Sequence, residues 1–455
     1  MNSGILVEWK TEQGIQNLPV KRGISLRELA DDLEKRNGMP SPVFATVNGQ
    51  QEDLDYILRH SSQVEYFGLH SRQTRLMYQR TVYFVFQKAV HELDPEIRTR
   101  LLYPLNGGLL IEFDRMVSGT GMMKWNIEKR MKELISEGKP FEQEVLSRER
   151  ILSPDCPAAV SDRMVSLVRN SDIQQLYLYS SGEFSRVFTD LLMPSPKGIN
   201  LFELVPYEGR VIIRVPHFGG PEKLSPYRDD KKLYRMFGKV IKWREITEVN
   251  YIDDLNRKID RGEWRDLILI SEAQHEKNIA SIADQIRTNG RRIILIAGPS
   301  ASGKTTFAQR LCIQLRVNGL RPLYMGTDDY FRERGEMIPD ENGKLNFEDL
   351  TAVDVELFNS QMNDLLDGKT VDMPVFDFMT GSKRYGVRVT NAEEDQPIVI
   401  EGIHALNPEL TRAIAENEKF RIYICPLTVL NIDEDNRIPV TDIRLIRRMA
   451  RDMRS

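Results

Sequence analysis

Cysteine and long apolar runs are both scarce in this chain of 455 residues. Its three cysteines, Cys156, Cys312 and Cys425, lie far apart, which excludes a disulfide framework and a cysteine-rich zinc site. No apolar run reaches the roughly 18 residues that a membrane span needs. The N-terminus lacks the charged and then apolar pattern of a signal peptide. We therefore predict a cytoplasmic protein without a membrane partner.

The chain also lacks an excess of charge of either sign. Lys and Arg total 63 and Asp and Glu total 67, which gives a net charge of −4. This balance argues against a protein whose whole surface binds nucleic acid, although a local basic face remains compatible with it. Hydrophobic residues make up 41% and charged residues 29%, as in soluble globular proteins. The length predicts about three domains.

The first segment, 1–67, reads as a small α+β unit. Polar and apolar residues alternate at 5–9, as in a half-buried strand, and Ser25 and Glu28 have the spacing of a helix capping box. A second strand then ends in an Asn-Gly turn signal. This order predicts a ubiquitin-like roll.

The remaining chain is predicted to contain three further segments. Residues 68–270 mix helical stretches with short apolar strands and indicate an α+β domain, and 271–290 read as a connecting helix. In 291–455, short apolar runs alternate with helical segments, which indicates an α/β domain with a parallel sheet covered on both faces. The runs are Ile293–Ala297, Pro322–Gly326, Val371–Phe378, Ile398–Ile400 and Phe420–Cys425.

The strongest motif is a glycine-rich phosphate loop that joins the first of these strands to a helix. Its glycines let backbone N–H groups face a phosphate, and the helix N-terminus adds partial positive charge. Lys304 would reach the β- and γ-phosphates, and the hydroxyl of Thr305 would ligate Mg²⁺. The predicted ATP-binding residues are Gly298, Ser300, Ala301, Ser302, Gly303, Lys304, Thr305 and Thr306.

Acidic residues follow two other predicted strands. Asp328 and Asp329 come after the second apolar run, and Glu401 ends the fourth. The carboxyl ends of parallel strands form the edge where α/β sheets bind ligands. One aspartate is therefore a candidate base for an attacking hydroxyl, and Glu401 a candidate for the Mg²⁺ shell. A solvated acidic turn is the alternative for the aspartates.

Four arginines near the end of the chain share one face of a predicted helix. They are Arg444, Arg447, Arg448 and Arg451, at the spacing i, i+3, i+4 and i+7. Arginines that clamp a transferring phosphoryl group stabilise its charge, and like charges stacked on one face repel unless an anion lies between them. A solvated basic face and a phosphate clamp both remain open on this pattern.

The ordered motifs of 291–455 resemble those of the uridine kinase and phosphoribulokinase family. The matching blocks are the phosphate loop, Asp328–Phe331, Leu345–Asp349, Pro374–Phe378, Ile400–Gly402 and Asp442–Asp452. The resemblance implies ATP- or GTP-dependent phosphorylation of a sugar 5′-hydroxyl with Mg²⁺. It implies that Asp328 is the catalytic base, that Thr305 and Glu401 support the metal, and that Lys304, Arg448 and Arg451 contact phosphates.

The resemblance also assigns the acceptor side of the site. Glu348 falls where uridine kinases place an acid on the ribose, and Phe376 falls where they pack the base. Tyr330 and Arg384 complete the substrate-binding residues that it implies. Gly381 stands where the family usually carries a histidine, so pyrimidine specificity is not implied. Family members continue beyond the position of Ser455, which predicts an incomplete lid in a chain that stops there.

The first half resembles the N-terminal part of threonyl-tRNA synthetase. Residues 1–67 resemble its TGS domain and 68–243 its second additional domain, with 131–135 and 144–148 as the clearest matches. The His-x3-His pair of that domain's editing site is missing, and Phe84 and Lys88 stand in its place. Editing hydrolysis needs groups that activate water, so we expect this half to lack it.

Three roles remain open for this non-catalytic half: a scaffold, an RNA-binding module or a regulatory sensor. A basic, aromatic surface for RNA is one interpretation of Arg72, Arg75, Tyr78 and Arg80, and a solvated helix face is the other and the favoured one. A homo-oligomer is also left open.

The leading hypothesis is an ATP-dependent nucleoside kinase of the uridine kinase type, with a small-molecule nucleoside or sugar as acceptor. The alternatives are an RNA-binding regulator with a nucleotide-switch domain, and a kinase of another sugar.

Overall fold

The computed structural model describes residues 4–11, 14–37, 41–115, 120–216, 223–337, 345–426 and 430–453. The chain forms two compact units. Unit 1 comprises Met1–Asp260 and Val429–Ile438, and unit 2 comprises Arg261–Thr428 and Pro439–Ser455. A short piece of the C-terminal region therefore belongs to the N-terminal unit. The finer division of the chain at 67, 270 and 290 stays a prediction.

Unit 1 begins with a five-stranded mixed sheet and one helix. The elements are β1 Gly4–Thr11, β2 Gly14–Lys21, α1 Leu26–Asn37, β3 Pro42–Val47, β4 Gln50–Glu52 and β5 Ser62–Gly68. The strand order is β2-β1-β5-β3-β4, with β1 parallel to β5 and the other pairs antiparallel. The capping box is confirmed, because the Glu28 N–H donates to Ser25 Oγ at 3.1 Å and the Ser25 N–H to Glu28 Oε2 at 2.9 Å.

The rest of unit 1 packs two antiparallel sheets around a long buried helix. The elements are α2 Arg72–Leu93, β6 Thr99–Leu105, β7 Gly108–Phe113, α3 Thr120–Glu137, β8 Glu142–Ser147, α4 Arg148–Ile151, α5 Asp162–Arg169, β9 Gln175–Ser181, β10 Phe184–Phe188, β11 Glu203–Tyr207, β12 Arg210–Arg214, α6 Lys231–Thr247 and α7 Ile252–Asp260. The sheets have the orders β10-β9-β8 and β11-β12-β7-β6. Helix α2 supplies much of the core because its middle is apolar on every side.

Helix α2 also corrects the interpretation of a basic, aromatic surface. The ring of Tyr78 is only 1% exposed, and its hydroxyl donates to the Leu201 carbonyl at 2.7 Å. Arg80 forms an ion pair with Asp190 at 2.6 Å. A buried tyrosine cannot stack on a base, so the aromatic part of the suggested RNA surface is absent from this helix face.

The two residues in place of the editing pair have structural contacts. Phe84 is fully buried and packs against Phe141, Phe184 and Phe188 with ring centroids 5.0–6.1 Å apart. Lys88 donates to the Ser181 carbonyl at 2.8 Å. These positions therefore stabilise the fold of unit 1.

Unit 2 is an α/β domain. Its elements are α8 Trp264–Asn289, β13 Ile293–Ala297, α9 Lys304–Val317, β14 Leu323–Gly326, α10 Val355–Leu366, β15 Val371–Asp377, β16 Ser382–Thr390, β17 Ile398–Glu401, β18 Lys419–Tyr423 and α11 Val440–Asp452. Strands β14-β17-β13-β18 form a parallel sheet in that order, which confirms the predicted sheet. Strands β13 and β17 are almost entirely buried, as expected for strands with both faces covered.

One of the predicted parallel strands was wrong. The run at Val371–Phe378 forms β15, which pairs antiparallel with β16 as a separate two-stranded sheet. The reason is the tight reversal between Asp377 and Ser382. Such a short connection joins antiparallel strands, whereas a parallel pair needs a long crossover.

Within the described ranges, no helix is both long and apolar enough to cross a membrane. Over the same ranges, no group of three or more His, Cys, Asp or Glu side chains is placed to hold a metal ion by itself.

Helix α9 offers a test of the unit 2 core. Leu311 is fully buried and Ile313 is 48% exposed on the same helix. We expect Leu311→Ala to lower the free energy of unfolding by about 2–5 kcal/mol, because it removes buried contacts and leaves a cavity. Ile313→Ala should lower it by less than about 1 kcal/mol. Urea unfolding followed by circular dichroism measures both, and equal losses would contradict this core assignment.

Candidate functional site at the carboxyl edge of the parallel sheet

The phosphate loop connects the central strand β13 to α9 without room for larger side chains. A Cβ atom on Gly298 would lie 2.2 Å from the Ile424 carbonyl oxygen, so only glycine fits there. Ala301 and Gly303 have φ angles of 59° and 94°, which curl the backbone. The hydroxyl of Ser302 is buried without a hydrogen-bond partner among the described residues. This tight curl and unused donor fit a bound phosphate group.

Two strands next to the loop bring acidic side chains to it. Strand β17 lies between β13 and β14, and Gly326 of β14 pairs with Glu401 of β17. The hydroxyl of Thr305 donates to Glu401 Oε2 at 3.1 Å. The Lys304 ammonium lies 3.8 Å from Glu401 Oε1, and both side chains are about nine-tenths buried. The structure thus brings together the predicted metal residues, Thr305 and Glu401.

Asp328 follows β14 at the same edge. Burial raises the pKa of its carboxyl, and the nearby Lys304 ammonium opposes that rise. The pKa of Glu401 is also raised by burial, again opposed by Lys304 and by the hydrogen bond from Thr305. The charge of Asp328 further raises the pKa of Glu401, so the two acids are electrostatic neighbours. Lys304 is the cation that favours the ionised form of both.

The two adjacent aspartates have different environments. Arg388 donates to Asp329 Oδ2 at 3.0 Å, and the backbone N–H of Phe376 approaches Asp329 Oδ1 at 3.4 Å. Asp329 is thus occupied in joining the end of β14 to the β15–β16 hairpin. Asp328 instead interacts electrostatically with Lys304 of the phosphate loop, and its role as the catalytic base stays a prediction.

A cluster of phenylalanines adjoins this hairpin. Phe376 packs edge-to-face on Phe331 and Phe378, with ring centroids 5.7 and 5.1 Å apart. Phe378 is 56% exposed, so the cluster is open to solvent at one end. A Cβ atom on Gly381 would lie 2.5 Å from the side chain of Arg334, so a side chain there would displace that arginine. The glycine at 381, where the family usually carries a histidine, thus leaves room for the side chain of Arg334.

The other predicted substrate-binding residues are placed differently from one another. Tyr330 is a correction: its side chain is 1% exposed in the core and donates to Gln361 Oε1 at 2.8 Å. Glu348 is exposed. Arg384 is exposed on β16, 3.9 Å from the Asp377 carboxylate. The ring of Tyr330 packs edge-to-face on Phe358 in the core of unit 2, with ring centroids 5.2 Å apart, which explains its burial.

The arginine helix α11 contacts the phosphate loop through two of its arginines. Arg444 Nε donates to the Ser300 carbonyl at 3.3 Å, and Arg447 Nε to the Ala301 carbonyl at 3.0 Å. Arg448 and Arg451 instead donate to the two carboxylate oxygens of Asp452. The structure therefore places Arg444 and Arg447 at the loop, while the predicted pair, Arg448 and Arg451, is engaged with an acid on its own helix.

Two further residues at this edge are not among the predicted site residues. The Tyr324 hydroxyl lies 3.4 Å from Glu401 Oε2, and the alternation of β14 puts Tyr324 on the same face as Gly326. His404 Nε2 is buried without a hydrogen-bond partner among the described residues, and its positive form would lower the pKa of Asp328. The strand alternation was the available signal for Tyr324, whereas a single histidine that follows a strand is more often a loop residue than a catalyst.

The two pairs of arginines give a direct test of this geometry. Arg447→Gln removes a charged donor at the phosphate loop, so we expect the nucleoside triphosphate affinity to fall about tenfold. Arg451→Gln, the matched control on the same helix, should change the affinity by less than about twofold. Titration calorimetry with a nonhydrolysable nucleoside triphosphate measures both. A larger loss from Arg451→Gln would contradict the arrangement.

The same region of the chain is similar to known proteins. The model of the phosphoribulokinase / uridine kinase family matches residues 293–455. A uridine kinase of Ligilactobacillus salivarius is 32% identical over 167 residues, which are 37% of this chain and 69% of that protein. Uridine-cytidine kinase C of Dictyostelium discoideum is 33% identical over 118 residues, 26% of this chain and 24% of that protein.

A solved structure described as a possible uridine kinase from Bacillus stearothermophilus is 23% identical, with a TM-score of 0.29 over 39% of this chain and 92% of that one. The family assignment rests on the sequence relatives. Through residues 293–455, the chain belongs to the phosphoribulokinase / uridine kinase family and is a phosphotransferase.

Proposed function

We propose that unit 2 transfers the γ-phosphoryl group of ATP or GTP, with Mg²⁺, to the 5′-hydroxyl of a ribonucleoside such as uridine or cytidine. One observation carries this proposal. A phosphate loop, two acids, a lysine and two arginines converge at one edge of the parallel sheet. The names of the sequence relatives support a nucleoside as the acceptor.

The nucleotide side of the proposal rests on the loop. The Lys304 ammonium and the Ser302 hydroxyl are donors that would bind the phosphate oxygens, next to the N-terminus of α9. The Thr305 hydroxyl and the Glu401 carboxylate are oxygen ligands of the kind that Mg²⁺ prefers, directly or through water. When bound, Mg²⁺ neutralises charge on the phosphate oxygens. Arg444 and Arg447 would add positive charge at the same loop.

The acceptor side rests on Asp328. A carboxylate at this edge can accept the proton of the 5′-hydroxyl while the oxygen attacks the γ-phosphorus and the bond to the leaving phosphate breaks. Burial raises the pKa of Asp328 above that of an ordinary aspartate, which makes it a stronger base. The nearby Lys304 ammonium opposes this rise in pKa, because it favours the ionised carboxylate.

The nucleoside itself would lie against the phenylalanine cluster. The exposed end of the cluster at Phe378 offers an apolar surface for a base, and Glu348 is an exposed acid for the ribose hydroxyls. Aromatic packing is tolerant of base identity, because every base has a π-face. We therefore propose that the enzyme accepts more than one pyrimidine or purine ribonucleoside.

The experiment that tests this function is acceptor-dependent ADP release. The full chain is incubated with ATP, Mg²⁺ and one acceptor at a time from a panel of ribonucleosides, deoxynucleosides and ribulose 5-phosphate. Release driven by ribonucleosides supports the proposal. Release driven by ribulose 5-phosphate alone would mean that the acceptor is a sugar phosphate and not a nucleoside. ADP release that no acceptor stimulates would favour a nucleotide switch.

The role of the base has its own test. Asp328→Asn keeps the shape of the side chain but cannot take a proton, so we expect kcat to fall by about 10²–10⁴-fold with nucleotide affinity retained. Asp329→Asn is the neighbouring control: it weakens the contact with Arg388 and should reduce stability more than kcat. Steady-state kinetics with calorimetric nucleotide binding separate the two. Near-full turnover by Asp328→Asn would rule out the base assignment.

A further inference from the structure

A buried histidine nitrogen lies at the carboxyl edge of the parallel sheet without a protein partner. Nε2 of His404 has no hydrogen-bond partner among the described residues. In a neutral imidazole this atom is either a donor or an acceptor, and a buried polar atom of either kind costs free energy while it stays unpaired. The imidazole is therefore a candidate to bind a molecule that enters the site.

The position of His404 distinguishes it from the other unpaired polar atoms of unit 2. In the described part of this unit, the other buried side-chain atoms without a partner are Ser302 Oγ and Arg292 Nε. Ser302 belongs to the phosphate loop, where a phosphate group would bind its hydroxyl. Arg292 precedes β13 at the opposite edge of the sheet, and its Nη2 donates to the Glu393 carbonyl at 2.9 Å. His404 is thus the unpaired group that lies at the carboxyl edge but outside the phosphate loop.

A close backbone contact holds the turn of His404 against the end of β14. His404 follows Glu401, which ends β17. A Cβ atom on Gly402 would lie 1.7 Å from Thr327 Oγ1, so no side chain fits between the two segments. Thr327 directly precedes Asp328. The turn of His404 therefore packs on the segment that carries the proposed base.

The turn itself is anchored on both sides of the histidine. The Gly402 N–H donates to the Ile296 carbonyl at 3.1 Å, and the His404 carbonyl accepts from the Asn407 N–H at 2.8 Å. Ala405 is fully buried in the core of unit 2. A side chain on a fixed backbone loses less conformational freedom when it binds a ligand, so the turn is suited to hold a recognition group.

Two acids on the acceptor side respond to the charge of His404. Burial is the main influence on the pKa of Asp328 and raises it, whereas hydrogen bonds from Thr351 are the main influence on the pKa of Asp349 and lower it. The charge of His404 lowers both pKa values by a smaller amount. Asp349 directly follows Glu348, the acid proposed for the ribose hydroxyls. His404 is thus an electrostatic neighbour of both segments that would hold the sugar.

We infer that His404 is an acceptor-binding residue, whose Nε2 forms a hydrogen bond with a ring hydroxyl of the ribose while Asp328 takes the proton of the 5′-hydroxyl. The inference rests on the proposed function and names the part of the acceptor that the same site recognises. A site that offers a buried polar atom to a hydroxyl rejects an acceptor that lacks this hydroxyl. His404 therefore selects ribonucleosides over deoxyribonucleosides, whereas the phenylalanine cluster tolerates different bases.

Removal of the ring nitrogens tests this role. His404→Phe keeps a planar ring but cannot form the hydrogen bond, so we expect the KM for uridine to rise about tenfold while kcat changes less than about threefold. His404→Gln has an amide nitrogen that can take the place of Nε2, so its KM should stay within about threefold of the wild-type value. Calorimetry with a nonhydrolysable nucleoside triphosphate should give the wild-type affinity for both variants. An unchanged KM in His404→Phe, or equal losses in both variants, would contradict the inference.

His275→Phe is the matched control in the same unit. His275 is exposed on α8, and its ring lies edge-on to Phe307 with centroids 6.3 Å apart. The same substitution there should leave the KM for uridine within about twofold of wild type. A rise as large as that of His404→Phe would show that the effect is not specific to His404.

Deoxy analogues of the acceptor identify the partner of the histidine. One of 2′-deoxyuridine and 3′-deoxyuridine lacks the bonded hydroxyl, and wild-type kcat/KM for that analogue should be about tenfold below that for uridine. In His404→Phe the same analogue and uridine should differ by less than about twofold, because the variant no longer makes the bond that the analogue lacks. If the variant discriminates against both analogues as strongly as wild type does, His404 binds neither hydroxyl and the inference is wrong.

Proton NMR of the imidazole C–H groups separates this inference from the proposed function. The chain has six histidines, and the signal of His404 is identified by its loss in His404→Gln. If wild-type protein phosphorylates no acceptor, a shift of this signal on addition of uridine still supports the acceptor-binding role, and an unshifted signal refutes it. If wild-type protein is an active kinase and His404→Phe keeps both the KM and the selectivity against deoxy analogues, the role of His404 is wrong and the function stands.

Discussion

The Lys304 ammonium group, 3.8 Å from Glu401 and close to the carboxyl of Asp328, is the interaction on which the site depends. Burial favours the protonated forms of both acids, and Lys304 opposes this for each of them. Without the lysine, the largest effect that opposes the desolvation of the two neighbouring carboxyls and the repulsion between their charges would be lost. The lysine therefore favours the ionised form of both carboxyls.

The parallel sheet is what delivers these groups to one place. Strand β13 leads into the phosphate loop, β17 ends in Glu401, and β14 is followed by Asp328. In a parallel sheet the carboxyl ends of all strands lie at the same edge, so residues nearly 100 positions apart become neighbours. The tight approach of Gly298 to the Ile424 carbonyl then fixes the loop against the end of β18.

Much of this arrangement could be predicted from local sequence signals. The phosphate loop, the parallel strands and the capping box at Ser25 and Glu28 all depend on spacing within one element or on a motif between two. The pairing of the apolar run at Val371–Phe378 was harder to predict, because an apolar stretch has the same pattern in parallel and antiparallel strand pairs. Only the short turn before Ser382 distinguished them.

Contacts between distant parts of the chain escaped the sequence for a physical reason. Helix periodicity put the four arginines on one face, but it could not say that Asp452 would engage Arg448 and Arg451 and leave Arg444 and Arg447 for the loop. Tyr330 lies within a motif of catalytic appearance, yet its ring is core. The bond from Gln87 to Asp435 joins residues 348 positions apart, and no local pattern encodes such a pair.

We propose that this site moves a phosphoryl group to a sugar 5′-hydroxyl. Phosphorus NMR of the full chain with ATP, Mg²⁺ and uridine tests it most directly. The account predicts a new phosphomonoester resonance that is coupled to the two 5′ protons of the ribose, together with ADP. Inorganic phosphate as the only product, or nucleotide that stays unchanged with every acceptor, would contradict it.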